Sequence, residues 1–175
     1  MPPRLHRLAV AALLAAAAAP AGATTVLRMP LARVADEAAR IVHAEVVDVR
    51  SGRDAHGMPA TWVTLSVART LKGGRARRVV FKQYGVAAPL PDGTVARVAG
   101  LPRWQPGDEA VVFLRPQSRR GFTSPVGLGQ GVYRVRRSGG RARVLAATPD
   151  AARPAAPEDL DEFLDKVEAL VGGGR

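Results

Sequence analysis

Alternation between apolar and polar residues constrains the fold of this chain more than any other feature of its sequence. Within residues 62–71, one face of an extended strand carries Val63, Leu65, Val67 and Leu71, and only Arg69 interrupts it. The residues between them fall on the opposite face, which is the period of a half-buried β-strand and not of a helix. The pattern predicts a sheet that packs one face against a core.

Further short strands are predicted where apolar runs are separated by turns rich in Gly and Pro. They are Ile41–Val49, Val79–Tyr84, Ala110–Leu114, Val132–Val135 and Arg143–Leu145, with shorter pieces at Thr94–Val98 and Phe122. The neighbours Val46 and Val47 break the alternation of the first strand, which predicts a bulge or burial on both faces. The wholly apolar run at residues 110–114 predicts a central strand.

A helix is predicted before these strands and another after them. Leu31–Arg40 begins after Pro30, and residues 157–175 contain an amphipathic stretch with acids in its first turn. Its apolar stripe is formed by Leu160, Phe163, Leu164, Val167, Leu170 and Val171. The predicted fold is mainly β: a small antiparallel OB-like barrel with a short N-terminal helix and a C-terminal amphipathic helix.

Residues 1–23 have the organisation of a secretory signal peptide. A basic start precedes the apolar run Leu8–Ala19, which is shorter than the roughly 20 residues that a membrane span needs. Ala21-Gly22-Ala23 then fits the small-x-small cleavage rule, and Thr24 would begin the mature chain. We expect a bacterial periplasmic or secreted protein with no transmembrane segment after cleavage, a barrel domain at 24–147 and an Ala/Pro linker at 148–156.

Several chemistries lack the residues that they require. The chain has no Cys, which excludes disulfides, thiolate metal ligands and thiol nucleophiles. Asp54 and His56 could hold one edge of a metal site, but a site needs three or four ligands. Asp108 and Glu109 are adjacent, so on a strand they point to opposite faces and cannot flank one substrate. We expect no cofactor, no metal and no enzymatic activity, with His43 an ordinary strand residue.

The glycines at positions 127, 129 and 131 resemble part of a dinucleotide-binding loop. That loop must open a helix, whereas here Val132 begins a predicted strand. A tight turn or a close backbone approach is the interpretation that we favour.

The charge distribution is the main functional signal. The net charge is +11, and no acid lies between Asp54 and Asp92 or between Glu109 and Asp150. The predicted strands bring two basic rims together as a candidate anion-binding surface, formed by Arg69, Lys72, Arg75, Arg77, Arg78, Arg134, Arg136 and Arg137. The alternative is a solvated basic surface that reflects an Arg-rich proteome.

The predicted compartment determines which partners such a surface can meet. Nucleic acid is not expected, because the signal peptide removes the protein from the cytoplasm and few aromatic residues are available for base stacking. Anionic glycans or lipids of the envelope, or a secreted protein, are the expected partners. A further alternative is an enzyme with a small-molecule pocket in the loop 85–107, around Arg97, Arg103 and Trp104.

Four segments resemble a group of secreted bacterial proteins of unknown function. They are residues 39–46, 63–73, 100–114 and 127–135, which contain Leu-Lys-Gly at 71–73 and Gly-Leu-Gly-Gln-Gly at 127–131. The departures from the shared pattern are Arg40 in place of an acid, Ala44 in place of Gly and Trp104 in place of Phe. The resemblance implies a fold and a compartment but no activity.

The Leu-Lys-Gly piece and the strand near Leu114 also resemble, more distantly, the netrin and tissue-inhibitor-of-metalloproteinase type of OB barrel. This likeness implies an alternative function, an inhibitor or regulatory partner of a secreted protease. The animal modules depend on cysteines, and an N-terminal Cys of the tissue inhibitors chelates the zinc of the target. Thr24 has no thiolate, so that mechanism does not carry over.

Signal cleavage gives a direct prediction. When the full chain is expressed in a bacterial host, we expect the exported protein to begin at Thr24, as measured by N-terminal sequencing and intact mass. Recovery of a chain that still carries residues 1–23 would contradict the predicted compartment.

Overall fold

The structure, a computed structural model, describes residues 28–147 and 156–173. In chain order the elements are α1 (Leu31–Glu37), β1 (Arg40–Arg53), β2 (Pro59–Lys72), β3 (Arg78–Tyr84), β4 (Glu109–Leu114), a 3₁₀ turn (Leu128–Gly131), β5 (Val132–Ser138), β6 (Arg141–Ala146), β7 (Glu158–Asp159) and α2 (Leu160–Gly172). The predicted mainly-β class with a helix near each end is confirmed. The signal segment 1–23 and all of the linker except Ala156 lie outside the described residues.

The described strands form one antiparallel sheet. Its order is β3-β2-β1-β4-β5-β6-β7, so β1 and β4 lie near its centre although 55 residues of chain separate the end of β1 from the start of β4. The hairpins β1–β2 and β5–β6 are local, whereas the pairing of β1 with β4 crosses the whole loop 85–107. The predicted central position of residues 110–114 is confirmed.

The sheet is not closed among the described residues, and β3 and β7 are its edge strands. Two isolated bridges attach residues 122–125 to it, with Phe122 beside Lys82 of β3 and Pro125 beside Leu114 of β4. One short segment therefore contacts both strands, but no ladder of hydrogen bonds connects the edges. The antiparallel sheet is confirmed and the OB-like barrel is not.

Each face of the sheet carries its own apolar cluster. On the helix face, α1 and α2 pack against a cluster that includes Ile41 and Phe113. On the loop face, Val42 and Val112 pack with Trp104 from the loop 85–107. Successive residues of a strand point to opposite faces, so β1 and β4 are buried on both sides, and this explains the unbroken apolar run of β4.

Three register shifts interrupt the pairing of β1 with β2. One of them leaves Val47 without a partner, between Val46 and Asp48, which confirms the predicted bulge. Val47 is also one of the more exposed large apolar side chains, because the bulge turns it away from both clusters.

A second register shift changes the face to which Arg69 belongs. Ala44 is opposite Val67 and His43 is opposite Arg69, so Ala68 is skipped. Strict alternation places Arg69 on the face of Val67, and that assignment is wrong: the extra residue moves Arg69 to the helix face, beside His43. A local pattern cannot show such a shift, since it depends on the partner strand.

The C-terminal helix starts three residues later than predicted, at Leu160, and ends at Gly172. Asp159 caps it by accepting hydrogen bonds from the backbone N–H groups of Asp161 and Glu162. The buried side of the helix consists of Leu160, Phe163, Leu164 and Val167, while Leu170, predicted for the same stripe, is 37% exposed. The preceding strand β7 pairs with β6 and holds the start of the helix at the sheet.

Smaller differences have local causes. The first helix ends at Glu37 and not at Arg40, because Arg40 already pairs with β4. No strand forms at residues 94–98, where the backbone belongs to the loop 85–107, and Phe122 forms an isolated bridge in place of a strand. Neither α1 nor α2 has the length and apolar character of a membrane-crossing helix, and these are the helices of the described residues.

Docking of the C-terminal helix predicts a matched pair of mutants. Leu164→Ala removes a side chain that is 3% exposed on the helix face and is expected to lower the free energy of unfolding by about 2–5 kcal/mol. Leu170→Ala makes the same change at an exposed position of the same helix and is expected to change it by about 0.5 kcal/mol or less. Urea unfolding measures both, and equal effects would contradict the docked position of the helix.

Candidate functional site

The eight residues of the predicted basic surface fall into two groups in the sheet. Arg69, Lys72, Arg75, Arg77 and Arg78 belong to β2, β3 and the turn between them, and Arg134, Arg136 and Arg137 belong to β5. In the sheet order β1 and β4 lie between β2 and β5. The two rims are therefore not on neighbouring strands.

Arg69 and Lys72 bind the two helices. The guanidinium of Arg69 contacts Glu168 of α2 at 3.0 Å and 2.9 Å through two pairs of atoms. The ammonium of Lys72 donates to the backbone oxygens of Ala35 and Asp36 in α1, at 2.8 Å and 3.0 Å. Both cations face the helix side because of the register shifts in β2, and both hold a helix on the sheet.

Arg134 and Arg137 are paired with the two adjacent acids that precede or begin β4. Arg134 lies 2.6 Å from the Asp108 carboxylate, and its guanidinium carbon is 4.9 Å from the centre of the Trp104 ring. Arg137 donates two hydrogen bonds to Glu109, of 2.8 Å and 2.7 Å. The two carboxylates bind separate partners, as expected of neighbours that point to opposite faces.

Four arginines of the predicted surface keep their charge free of such contacts. Within residues 28–147 and 156–173, the side chains of Arg75, Arg77, Arg78 and Arg136 make no hydrogen bond or ion pair, and all four residues are exposed. Three of them follow one another along the chain: Arg75 and Arg77 lie between β2 and β3, and Arg78 begins β3; these residues are together called the β2–β3 turn. Arg75 and Arg77 line an open groove of about 500 Å³, whose one acidic residue, Glu168, is bound to Arg69.

The β2–β3 turn is held in place by the start of β1. Arg40 donates a 2.7 Å hydrogen bond to the backbone oxygen of Gly74. Gly73 adopts a φ of +87°, and a Cβ there would lie 3.0 Å from the backbone oxygen of Ala39. Because the backbone of the turn is held, the backbone positions of its three free arginines are held as well.

Sequence reasoning missed a polar network on the helix face. The Nε2 atom of His43 lies 2.7 Å from Glu109 Oε1, and Glu109 also accepts the two hydrogen bonds from Arg137. His43, expected as an ordinary strand residue outside the buried set, is only 8% exposed. The helix face is itself buried, so a residue out of phase with one cluster lies beside the other.

The network shifts the titration of Glu109. The hydrogen bonds from Arg137 hold the pKa of the Glu109 carboxyl below its usual value of 4.5, and the contact with His43 acts in the same direction, while partial burial opposes both. Glu109 therefore stays ionised in the folded protein to a lower pH than an unperturbed glutamate does. A carboxylate held between a histidine and an arginine acts here as a structural counter-ion.

The Asp54 carboxylate is bound by its own turn and by Lys82. The Asp54 carboxylate accepts hydrogen bonds from the backbone N–H groups of His56 and Met58, and it lies 2.8 Å from the Lys82 ammonium. The bond from Lys82 is the main reason why the pKa of Asp54 is lowered to about 2. In the described part of the chain, no group of three His, Cys, Asp or Glu is placed to hold a metal ion.

The glycine-rich segment before β5 serves packing. It forms a 3₁₀ turn that leads directly into a strand, as the sequence predicted. A Cβ at Gly131 would lie 2.8 Å from the backbone N and O atoms of Val126. The glycine is needed because two backbone segments meet there, and nothing in this geometry resembles a phosphate-binding loop.

The loop 85–107 encloses a cavity of about 670 Å³. Arg97, Arg103 and Trp104, the three residues singled out in this loop, all line it. The sequence could indicate the loop from its Gly and Pro content, but not the cavity beneath it.

Comparison with protein-family models finds no family that matches this chain, and a search of curated proteins finds no match either. The resemblance to secreted bacterial proteins and to the netrin-like barrel stays a prediction. The inhibitor alternative depends only on that distant likeness, and Thr24 lies outside the described residues.

The His43–Glu109–Arg137 network predicts an acid-dependent loss of stability. Glu109→Gln is expected to lower the free energy of unfolding at pH 7 by about 1–3 kcal/mol, because it removes a charged acceptor of three contacts. The folded-state pKa of Glu109 lies below 4.5, so its contribution is present above that pH and lost as the pH falls through the folded value. The gap between the two proteins in urea unfolding should therefore shrink below pH 4.5.

Glu45→Gln is the matched control. Glu45 lies directly opposite Glu109 on β1 and is exposed, so removing its charge relieves a like-charge pair. We expect its stability at pH 7 to equal or slightly exceed that of the parent. A loss as large as that of Glu109→Gln would show that the network contributes nothing specific.

Proposed function

We propose that this protein is a non-enzymatic binding module of the bacterial periplasm or secretome, and that the β2–β3 turn binds anionic groups of an envelope lipid or polysaccharide. The observation that carries the proposal is the exposure of Arg75, Arg77 and Arg78, on one held turn, without an intramolecular partner among the described residues. The predicted signal peptide would place the turn among such anions.

The neighbouring charges support this choice of surface. Glu168 is the acid that lines the groove beside the turn, and it is bound to Arg69, which Asp165 also approaches at 3.7 Å. Guanidinium groups bind phosphate, sulfate and carboxylate through paired N–H donors, so three of them on one turn suit repeated anionic groups. Exposed cations grouped in this way attract polyanions over about one Debye length.

The other five predicted cations lie outside the proposed contact surface. Arg69, Lys72, Arg134 and Arg137 bind groups of the same chain, so they are held away from a ligand. Arg136 is free but lies on β5, with β4 and β1 between it and β2. The proposed contact surface therefore consists of the β2–β3 turn alone.

The contacts of the two described histidines support binding over catalysis. His43 is bound to Glu109, and exposed His56 contacts Asp54 only through its backbone N–H. Neither imidazole touches a Ser or Thr hydroxyl in the described residues, which is the contact that an activated hydroxyl nucleophile requires.

The test compares two triple variants of equal charge. Arg75→Gln, Arg77→Gln and Arg78→Gln together should weaken binding of phosphatidylglycerol vesicles or of dextran sulfate by about tenfold or more at low salt. Arg119→Gln, Arg120→Gln and Arg141→Gln remove the same charge from other exposed positions and should cost about twofold or less. Sedimentation of vesicles and a polymer titration distinguish the lipid source from the polysaccharide source.

Equal losses in the two triple variants would contradict the proposal, because they would show that net charge and not the β2–β3 turn governs binding. Absence of binding to either probe at about 0.05 M salt would contradict it as well. Circular dichroism of each variant checks that the fold is retained.

A further inference from the structure

The loop 85–107 covers a cavity that the proposed function does not use. Its cavity of about 670 Å³ lies between this loop and the ends of β1, β2 and β3, which contribute Val49, Thr61 and Gln83. The volume falls in the range of about 300–1,000 Å³ that is usual for small-molecule sites.

The cavity is built by fixed contacts and is not a gap beneath a loose loop. Trp104, 4% exposed, donates its indole N–H to the side-chain oxygen of Gln83 at 3.2 Å and meets the Phe81 ring edge-on at 5.7 Å. Thr61 donates a 2.8 Å hydrogen bond to the backbone oxygen of Gly85. These contacts attach both ends of the loop to the sheet.

The outer part of the loop is held as well. Arg53 of β1 contacts Asp92 at 2.6 Å and also donates to the Thr94 hydroxyl. Val86 and Ala96 are joined by a backbone hydrogen bond of 2.8 Å, and a Cβ at Gly85 would lie 2.7 Å from the Ala96 oxygen. These contacts hold the two arms of the loop at a fixed separation above the cavity.

The lining determines which ligand would fit. Most of the described lining residues are apolar or small, and none is Asp, Glu or His. Arg97 and Arg103 are the charged residues among them, both are exposed, and neither guanidinium has a partner within the described residues. The loop's own acid, Asp92, is bound to Arg53 and is not part of the lining.

We propose that this cavity binds a small amphipathic anion, with its apolar body against Trp104 and its carboxylate, sulfonate or phosphate at Arg97 and Arg103. Apolar walls favour a hydrocarbon or aromatic body, since its burial removes apolar surface from water. Two unpaired guanidinium groups favour an anionic head over a neutral or cationic one. The site is separate from the β2–β3 turn, and each can exist without the other.

The test uses two fluorescent probes that share an apolar body. One is 1-anilinonaphthalene-8-sulfonate, which carries a sulfonate, and the other is neutral N-phenyl-1-naphthylamine. We expect the folded protein to bind the sulfonate probe at one saturable site. Arg97→Gln with Arg103→Gln should weaken that binding about tenfold or more and change the affinity for the neutral probe about twofold or less.

Two controls fix the location. Arg119→Gln with Arg120→Gln removes the same charge outside the cavity and should leave both affinities unchanged. Ala96→Phe adds a ring at a lining position and should reduce binding of both probes. Urea unfolding of each variant shows whether the fold is retained. Arg97 and Arg103 are exposed, so their replacement tests the proposal even if Ala96→Phe does not fold.

Two results would overturn the inference. One is the absence of saturable binding of the sulfonate probe by the folded protein. The other is an unchanged affinity for that probe in the Arg97→Gln, Arg103→Gln variant. Because the β2–β3 turn is intact in all of these variants, either result leaves the proposed binding of envelope polyanions to its own test.

Discussion

Burial of β1 and β4 on both faces is the constraint on which the rest of the structure depends. A strand with apolar residues on both sides needs two covers, and the sheet alone provides neither. The helices α1 and α2 cover one side, where Ile41, Val111 and Phe113 are fully buried. The loop 85–107 covers the other through Trp104. Burying a side chain of this size is worth about 1.5–3 kcal/mol, so losing either cover would expose several such contributions at once.

The need for two covers also explains where the charges lie. Arg69, Lys72 and Glu109 are placed on the helix face at the margins of the apolar cluster, and each binds a group that the helices or neighbouring strands present. A composition with a net charge of +11 suggests a broad basic surface. Ion pairs leave that net charge unchanged, but they determine which cations stay free, and within the described residues Arg75, Arg77, Arg97 and Arg103 are exposed without an ion pair.

Local patterns in the sequence predicted what depends on one segment at a time. The strand at residues 62–71, the bulge at Val47 and the buried side of the C-terminal helix each follow from periodicity within a few residues. The face of Arg69 does not, because the shift at Ala68 is defined by pairing with β1. Barrel closure was likewise beyond local patterns, since it depends on how strand edges meet.

The candidate sites also divide into features that one segment predicts and features that depend on contacts between distant segments. The free arginines of the β2–β3 turn are visible as a run of cations without acids, so the sequence could indicate them. The His43–Glu109 contact joins residues 66 apart, and its members looked unremarkable as a strand residue and as part of a turn. The cavity beneath the loop 85–107 depends on contacts such as Trp104 with Gln83, which no spacing rule predicts.

The two helices on one face have a consequence for how the chain matures. They lie at opposite ends of the described sequence, at residues 31–37 and 160–172, yet they contact each other and share one apolar cluster. During synthesis on a ribosome, the strands emerge before the second helix does. The part of the helix face that α2 covers must then stay uncovered until residues 160–172 are delivered. Docking of α2 is therefore a late event, and a sheet without this cover is the form that a chaperone would meet.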